Sequence, residues 1–429
     1  MKRKFYCILL GALLLVLAGC GSSGRVDGDK KTQPTPPGEE KTALRNVSLV
    51  ENNIRLSGYN HDIVLSPDGK KVAFSGYNYD KSKQDPDSMI VLADLTTGEA
   101  REIKTKGGVN WVSAWLNDGK SLLFTGNETI NILLTESGEE REIEKVLTHG
   151  AISPDGKTIA YTVRGKMYPW DNNTRPKGEA GLWLYDIASG NKKQLTKNLD
   201  EWYPVWYPDG NKIFYFCDLG QELGDGAGHL QGMASISIDG GKPEVFPQKS
   251  GKFRSAAWIV PEKALYIHEG WDDGEANSIL NLENDRYVFL GEGDVWPGAF
   301  KSVAVDVKNG HLIKTDSGRV EIIDVSGKIL NQFDLPEKEI GSFNFTVSPR
   351  GDSLSYVQGE LGRMGNSKIK GNLVKLIALD GNSARSLTSE YKYNEDIIWD
   401  RDGDNVISLQ MEQSGDSEII SAVKVLPIK

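Results

Sequence analysis

From about residue 46 to the end of the chain, hydrophobic and polar residues alternate in short runs that are separated by turn residues. Alternation with a period of two is typical of β-strands that turn one face toward a core, and few stretches show the period of a helix. The composition agrees with this pattern, because 47 glycines and 17 prolines among 429 residues supply many tight turns. The pattern therefore predicts an all-β fold.

One phrase recurs along the chain: an apolar strand, a turn built on Pro-Asp-Gly, and a second apolar strand. It reads VLSPDGKKVAF at residues 64–74 and AISPDGKTIAY at residues 151–161, and weaker copies follow. The same turn position recurs about every 48 residues, which is the length of one propeller blade of four strands. The eight occupants of this position are Gly69, Gly119, Gly156, Gly210, Glu262, Gly310, Gly351 and Gly403.

Each unit contains two hairpins, so we name its strands A to D in chain order. Proline presets the backbone angle of the A–B turn, aspartate caps it and glycine adopts the positive φ. We predict a single β-propeller of eight four-stranded blades, with seven as the alternative because the sixth unit is weakly marked. The eighth unit lacks a D strand, and Asn53–Gly58 is predicted to supply this N-terminal strand and close the ring.

These hairpins resemble the WD40-like (PD40) repeats of the TolB-like β-propellers, which also occur in prolyl oligopeptidase and dipeptidyl peptidase relatives. The resemblance is strongest at Ser66–Gly69 and Ser153–Gly156, and it implies the propeller fold. TolB proteins also have an N-terminal α/β domain and six blades, which this sequence does not reproduce. The peptidase relatives carry a Gly-x-Ser-x-Gly elbow, and the sequence contains no such pattern, so peptidase activity is not expected.

The first 19 residues are typical of an export signal. Lys2, Arg3 and Lys4 precede an apolar run, Ile8–Leu17, that is too short to span a bilayer. The following sequence, Leu-Ala-Gly-Cys, resembles the lipobox of bacterial lipoproteins, which implies cleavage before Cys20 and acylation of that residue. Residues 20–45 then form a predicted tether rich in polar residues and proline. We expect an extracytoplasmic chain held to the membrane only by the lipid on Cys20, with the propeller at residues 46–429.

The net charge limits the classes of ligand that the chain can bind, and the cysteine content limits its disulfides. Without the signal, 47 basic and 60 acidic side chains remain, a formal charge of −13. This charge argues against nucleic acid and anionic lipid surfaces as ligands. Only Cys217 lies in the predicted propeller, which excludes an intramolecular disulfide there, and we predict that it is a buried apolar residue.

Several long B–C connections are predicted to collect on one face of the ring, which makes this face the candidate ligand surface. Aromatic side chains on it would suit a sugar ring or a peptide. The candidates are Trp111, Tyr168, Trp170, Trp202, Tyr203, Trp296, Phe343, Tyr391 and Tyr393. Trp111 and Trp202 occupy the same position of the repeat, and the alternative is that both pack between blades. The tryptophans predicted for the core between blades are Trp115, Trp206, Trp258 and Trp399.

A cation site is a weaker hypothesis. The candidate ligands are His61, His149, Asp218, Glu222, Asp225 and His229. Their spacing does not match an EF-hand or another known ligand motif. We therefore expect neither a metal nor another cofactor.

These observations favour a monomeric, non-catalytic module that binds a cell-envelope protein or glycan. The alternative is a metal-dependent carbohydrate lyase or hydrolase with its site at the channel mouth. A purely structural envelope component is a third possibility. The sequence leaves open whether the chain is an enzyme, and it favours binding because it contains neither a Gly-x-Ser-x-Gly elbow nor a metal-ligand motif.

Overall fold

Each repeat of the sequence forms one antiparallel sheet in the computed structural model, and eight such sheets form a ring. The structure describes residues 43–52, 54–56, 63–78, 87–106, 111–126, 129–145, 150–165, 179–223, 229–251, 253–271, 274–293, 303–316, 318–336, 342–359, 372–389, 393–414 and 417–429. The predicted signal, Cys20 and most of the predicted tether lie outside these residues. No helix among the described residues has the length and hydropathy needed to cross a membrane.

The first four sheets follow the predicted order of strands. Sheet I contains β2 (Ile54–Leu56), β3 (Val64–Leu65), β4 (Lys71–Asn78), β5 (Asp87–Asp94) and β6 (Glu99–Lys104). Sheet II contains β7 (Trp111–Trp115), β8 (Ser121–Gly126), β9 (Thr129–Leu134) and β10 (Glu140–Lys145). Sheet III contains β11 (Ala151–Ile152), β12 (Thr158–Val163), β13 (Gly181–Asp186) and β14 (Lys192–Gln194). Sheet IV contains β15 (Glu201–Trp206), β16 (Lys212–Glu222), β17 (His229–Ser237) and β18 (Glu244–Ser250).

The second half of the ring repeats this arrangement. Sheet V contains β19 (Phe253–Val260), β20 (Ala264–Trp271), β21 (Gly274–Asn281) and β22 (Arg286–Gly293). Sheet VI contains β23 (Val303–Asp306), β24 (His311–Asp316), β25 (Arg319–Ile323) and β26 (Ile329–Asp334). Sheet VII contains β27 (Ser342–Val347), β28 (Ser353–Gly359), β29 (Asn372–Ala378) and β30 (Arg385–Ser386). Sheet VIII contains β31 (Tyr393–Trp399), β32 (Asn405–Ser414), β33 (Ser417–Pro427) and the N-terminal β1 (Val47–Ser48).

An N-terminal strand closes the ring, as predicted, but it is not the predicted segment. Val47 pairs with Val423 of sheet VIII, whereas Ile54–Leu56 pairs with β4 and extends the inner strand of sheet I. Gly76 explains this pairing, because a Cβ there would lie 2.5 Å from Cγ2 of Ile54. The absence of a side chain at Gly76 therefore admits β2 beside β4.

The core consists of separate hydrophobic clusters between neighbouring sheets. Among the described residues there is one such cluster at every junction, including the junction between sheets VIII and I. In the last of these, Val47 and Leu49 are completely buried with Ile420 and Val423. Each sheet thus buries both faces against its neighbours, and closing the ring removes two faces that an open stack would expose.

Tryptophans of the inner strands join neighbouring sheets, as predicted for four positions. Trp115, Trp206 and Trp399 are buried, and Trp258 is partly buried. Each indole N–H donates a hydrogen bond to a backbone carbonyl on the inner strand of the preceding sheet. The acceptors are Val64 O for Trp115 (3.0 Å), Ala151 O for Trp206 (2.9 Å), Trp206 O for Trp258 (2.8 Å) and Thr346 O for Trp399 (3.1 Å).

The A–B turns have the predicted chemistry. In the turn of sheet III, Ser153 Oγ donates to Asp155 Oδ1 at 2.7 Å, and the N–H of Lys157 donates to the same oxygen at 3.1 Å. These bonds hold the pKa of Asp155 below its ordinary value. Gly156 has a φ of +73°, which an L-residue with a side chain adopts only at a cost.

Candidate binding cleft

A cleft of about 700 Å³ runs along the inner strands of sheets II to V. Its lining is aromatic, aliphatic and proline-rich, and contains no carboxylate, amine, guanidinium, imidazole or thiol. The lining residues are Trp111, Val112, Ser113, Gly150, Ala151, Ile152, Pro154, Tyr203, Pro204, Val205, Trp206, Pro208, Ala256 and Trp258. On a chain with a net charge of −10, such an uncharged wall favours contact with apolar or aromatic groups.

The tryptophans present ring surfaces to this cleft. The indole N–H groups of Trp206 and Trp258 are already bonded to the backbone of the preceding sheets. These rings therefore offer dispersion and stacking contacts to a ligand, while their N–H groups are occupied by hydrogen bonds within the fold. Because the neighbouring sheets fix both rings, little side-chain entropy is lost when a ligand packs against them.

Ser113 lines the cleft and carries a buried hydroxyl. It lies on β7, where the pairing with β8 shifts between Val112 and Ala114. Its Oγ is buried and has no hydrogen-bond partner among the described residues. A buried hydroxyl without a partner costs free energy.

Tyr203 has an unusual backbone conformation in the cleft wall. Its φ is +54°, and the pairing of β15 with β16 shifts between Trp202 and Val205. Asn344 has the same φ at the same distance before the turn glycine of sheet VII, also beside a shift in pairing. A positive φ at tyrosine costs about 1–3 kcal/mol and is found more often at functional sites than elsewhere. The bulge directs the chain so that Tyr203 and Pro204 line the cleft.

Trp202, the other described aromatic of this connection, lies between sheets IV and V. Its indole N–H donates to Phe253 O at 3.2 Å, and its ring centroid is 5.9 Å from that of Phe216. Trp111 and Trp202 therefore differ, although they occupy the same position of the repeat. Trp111 lines the cleft, whereas Trp202 contacts the adjacent sheet.

The remaining aromatic candidates fall partly or wholly outside the described residues. Phe343 and Tyr393 belong to β27 and β31, but their side chains are not described. The candidates outside the described residues are Tyr168, Trp170, Trp296 and Tyr391. The structure thus brings Trp111 and Tyr203 together at the cleft and places Trp202 beside it.

The described metal candidates hold the B–C hairpin of sheet IV. Asp218 Oδ2 lies 2.7 Å from His229 Nδ1, and Asp218 Oδ1 accepts the N–H of Gly220 at 2.5 Å. Glu222 is the ladder partner of His229. No group of three or more metal-ligating side chains occurs within the part of the chain that the structure describes. His61, His149 and Asp225 lie outside that part.

Glu201 is a buried carboxyl that the sequence pattern did not reveal. It precedes Trp202 on β15, is 2% exposed, and accepts a hydrogen bond from the hydroxyl of Thr196. Burial raises the pKa of Glu201 to about 7. Asp200 adds a neighbouring negative charge. The carboxyl thereby joins the D–A connection of sheets III and IV to the strand that carries Tyr203.

Comparison with known proteins supports the architecture. The Tol-Pal system protein TolB of Wolinella succinogenes is 24% identical over 200 residues, covering 45% of this chain and 43% of that protein. The match thus spans less than half the length of that relative. The structure of the Dos1 propeller covers 90% of this chain and 95% of its own, at 9% identity and a TM-score of 0.55. Dipeptidyl peptidase 4 of Porphyromonas gingivalis covers 88% of this chain and 62% of its own, at 9% identity and a TM-score of 0.51.

These structural likenesses concern the fold alone. The match to a family is more specific, because it falls on the repeats from which the propeller was predicted. Residues 46–261, half of the chain, match the model of the TolB β-propeller domain, PD40. The chain belongs to this PD40 family of TolB-like β-propellers.

Proposed function

We propose that the chain is a lipid-anchored, extracytoplasmic propeller that binds a cell-envelope protein without catalysis. Family membership supports a binding role, and one relative belongs, by its name, to the Tol-Pal system. The observation that carries the proposal is the aromatic, uncharged cleft along sheets II to V. Apolar side chains of a partner protein would bury their surface against Trp206, Trp258 and Tyr203.

The chemistry of the cleft favours binding over hydrolysis or lyase activity. General acid–base catalysis needs a carboxylate, imidazole or similar group within hydrogen-bond reach of the substrate. Among the residues that line the cleft, only Tyr203 carries an ionisable side chain. A polysaccharide would also need more hydrogen-bonding groups than the cleft wall offers. An apolar peptide segment fits this wall better.

A retention experiment with matched variants tests the binding site. Tyr203→Asn removes the ring and keeps a residue type that adopts positive φ, as Asn344 does at the equivalent position. Pro208→Arg introduces a charge into the cleft wall. Pro349→Arg is its control, because Pro349 occupies the same turn position in sheet VII and does not line the cleft.

Each variant of the full chain is immobilised and incubated with an envelope extract of the producing bacterium, and the proteins that it retains are identified. We expect one protein to be retained by the wild type and by Pro349→Arg, and to be lost with Tyr203→Asn and Pro208→Arg. Equal retention by the wild type and all three variants would show that the partner does not bind in the cleft. Metal-dependent turnover of a polysaccharide by the wild type would replace binding with catalysis.

The lipid anchor has a separate test. Acylation of Cys20 would hold the chain on a membrane, since several acyl chains on one residue anchor a protein stably. Cys20→Ala should shift the chain from the membrane fraction to the soluble fraction, with retention of the partner unchanged. A wild-type chain already found in the soluble fraction would contradict the anchor and leave the binding proposal intact.

A further inference from the structure

The cleft wall at Tyr203 and Pro204 depends on how the beginning of β15 is held. Both residues line the cleft and belong to this strand, which begins at Glu201. The pairing of β15 with β16 shifts between Trp202 and Val205, so the ladder does not fix the two residues between them directly. The positive φ of Tyr203 costs free energy and persists only where the surrounding structure holds it.

Two side chains hold the beginning of β15 to the neighbouring sheets. On one side, the indole N–H of Trp202 donates to Phe253 O of sheet V at 3.2 Å. On the other side, Glu201 accepts a hydrogen bond from the hydroxyl of Thr196, in the connection from sheet III. Thr196 Oγ1 in turn accepts the N–H of Leu182 of β13 at 2.7 Å. Glu201 thus joins the beginning of β15 to sheet III.

The surroundings of Glu201 favour its neutral form. The carboxyl is 2% exposed, and burial raises its pKa to about 7. Asp200 adds a neighbouring negative charge, and Arg164 pairs with Asp200 (Nε to Oδ1, 3.7 Å). Tyr215 and Cys217 of β16 also lie near the carboxyl, and neither supplies a positive charge. An ionised Glu201 would therefore be a buried charge that no described cation pairs with, which is costly.

We propose that Glu201 is a latch for the cleft, because it holds the strand that carries Tyr203 and Pro204. When its carboxyl is protonated, Glu201 stays against Thr196 and β15 keeps the course that forms the cleft wall. When the carboxyl is ionised, it leaves this buried position for water and the beginning of β15 loosens, while β16 remains paired with β17. The cleft should then bind its partner less tightly in alkaline than in acidic medium. The latch adds regulation by pH to the proposed binding function, on which it rests.

Sheet VII contains a matched segment without the latch. Asn344 has the same φ as Tyr203, and the pairing of β27 with β28 shifts at the equivalent place. Ser342, which has no carboxyl, occupies the position of Glu201 at the start of that ladder. The two segments share this bulge and differ in the group that titrates. Residues 342–346 are therefore an internal control within the same chain.

Hydrogen exchange of backbone amides, measured on the full chain at pH 5.5 and pH 8.5, tests the latch. A carboxyl with a pKa of 4.5 when released and about 7 when latched makes opening about 30-fold more favourable over this range. After correction for the intrinsic exchange rate, protection of residues 201–205 should therefore fall about 30-fold in the wild type. It should stay within about twofold in Glu201→Gln, and residues 342–346 should show no such fall in either chain.

Two results of the exchange experiment would overturn the latch. An equal fall in both segments of the wild type would mean that ionisation weakens the whole ring and not the strand at the cleft. An equal fall of residues 201–205 in the wild type and in Glu201→Gln would assign the titration to another group.

Retention of the envelope protein at the two pH values links the latch to binding. From pH 5.5 to pH 8.5, retention by the wild type should fall at least about threefold more than retention by Glu201→Gln, which shares any titration of the partner. Equal falls in the two chains would contradict the latch and leave the cleft as the binding site. If neither chain retained a protein at either pH, the proposed function would fail, and the exchange profiles would still decide whether Glu201 holds β15.

Discussion

The two faces of the ring are built in different ways. On the face of the A–B turns, a residue of one turn approaches the glycine of the next sheet's turn. Such approaches place Asn117 at Gly156, Pro154 at Gly210, Val260 at Gly310, Asn309 at Gly351, Pro349 at Gly403 and Arg401 at Gly69. The opposite face has features that are not repeated in every sheet. Two of them are the hydrogen bond between Glu201 and Thr196 and the bulge at Tyr203.

This difference separates what is repeated from what is specific to individual sheets. The turn face carries similar contacts between neighbouring turns, and at Gly156, Gly310 and Gly351 the neighbouring residue is so close that a Cβ would lie within 3.0 Å of it. The opposite face places a buried carboxyl next to a strand that lines an aromatic cleft. We therefore expect variants of the turn glycines to change stability alone, variants of the cleft-lining residues to change binding, and variants of Glu201 to change pH dependence. The cleft-lining residues include Pro154 and Pro208 of two A–B turns.

The largest effect is expected at a turn glycine. A Cβ at Gly156 would lie 2.4 Å from Nδ2 and 2.7 Å from Cβ of Asn117. Gly156→Ala should lower the free energy of unfolding by about 4 kcal/mol, because a positive φ and a steric clash both oppose the methyl group. Urea titration of the purified chain measures this loss.

Gly119→Ala is the matched control for this prediction. Gly119 has a φ of +64°, but no atom lies within 4 Å of the position of its Cβ. Its substitution should cost only the backbone strain, about 1 kcal/mol. If both alanine variants lost the same free energy, the contact between Asn117 and Gly156 would have no part in joining the sheets.

These turns are also where sequence and structure agree most closely. Ser153–Gly156 contains its own hydrogen-bonding groups and its positive φ within four residues, so the local sequence is sufficient to predict it. The closing strand was harder to predict, because hydrophobic and polar residues alternate in both Val47–Leu49 and Ile54–Leu56. The choice between them depends on Gly76, whose missing side chain admits Ile54.

The cleft was only partly predictable for the same reason. The aromatic residues near the D–A connections predict that Trp111 and Tyr203 line a ligand surface. The local sequence does not show that Trp202, which is adjacent to Tyr203, lies elsewhere. The environment of Trp202 is set by Phe216 and Phe253. Glu201 resembles any surface glutamate in the sequence, and its burial arises only when Thr196 and the neighbouring strands surround it.

The next largest effect is expected in the pH dependence of stability. Because burial raises the pKa of Glu201 from 4.5 to about 7, the folded chain binds this proton more tightly than the unfolded chain does. The stabilisation is complete below pH 4.5 and is lost as the pH rises through 7. Relative to Glu201→Gln, the wild type should lose about 3 kcal/mol of unfolding free energy between pH 4.5 and pH 8.

Urea titrations at several pH values give the unfolding free energy of the wild type and of Glu201→Gln. Subtracting the two profiles cancels the contribution of the titrating groups that both chains share. Asp200, Cys217 and Tyr215 lie near this carboxyl, and none of them supplies a positive charge. Profiles that run parallel for wild type and Glu201→Gln would show that the carboxyl does not titrate in this range.

A smaller effect is expected from one indole bond between sheets. Trp115→Phe removes the donor to Val64 O and leaves that carbonyl without its partner. The loss should be about 1–2 kcal/mol of unfolding free energy, with partner retention unchanged because Trp115 does not line the cleft. Trp183→Phe is the control, since that indole bonds only Glu179 O near its own sheet. Equal losses in both variants would show that the bond between sheets contributes nothing measurable.

The smallest effect is expected at Cys217, which lies opposite Glu201 in the ladder of sheet IV. Burial raises the pKa of this thiol to about 12, so almost no thiolate exists at pH 8 and the side chain is shielded from reagents. Compared with Cys217→Ala as the blank, the folded wild type should show no additional labelling by an alkylating reagent. Unfolding in urea should expose one additional thiol. Rapid labelling of the folded chain would mean that the strand carrying Cys217 opens locally, and that the face near Glu201 is less firmly packed than the circle of turns.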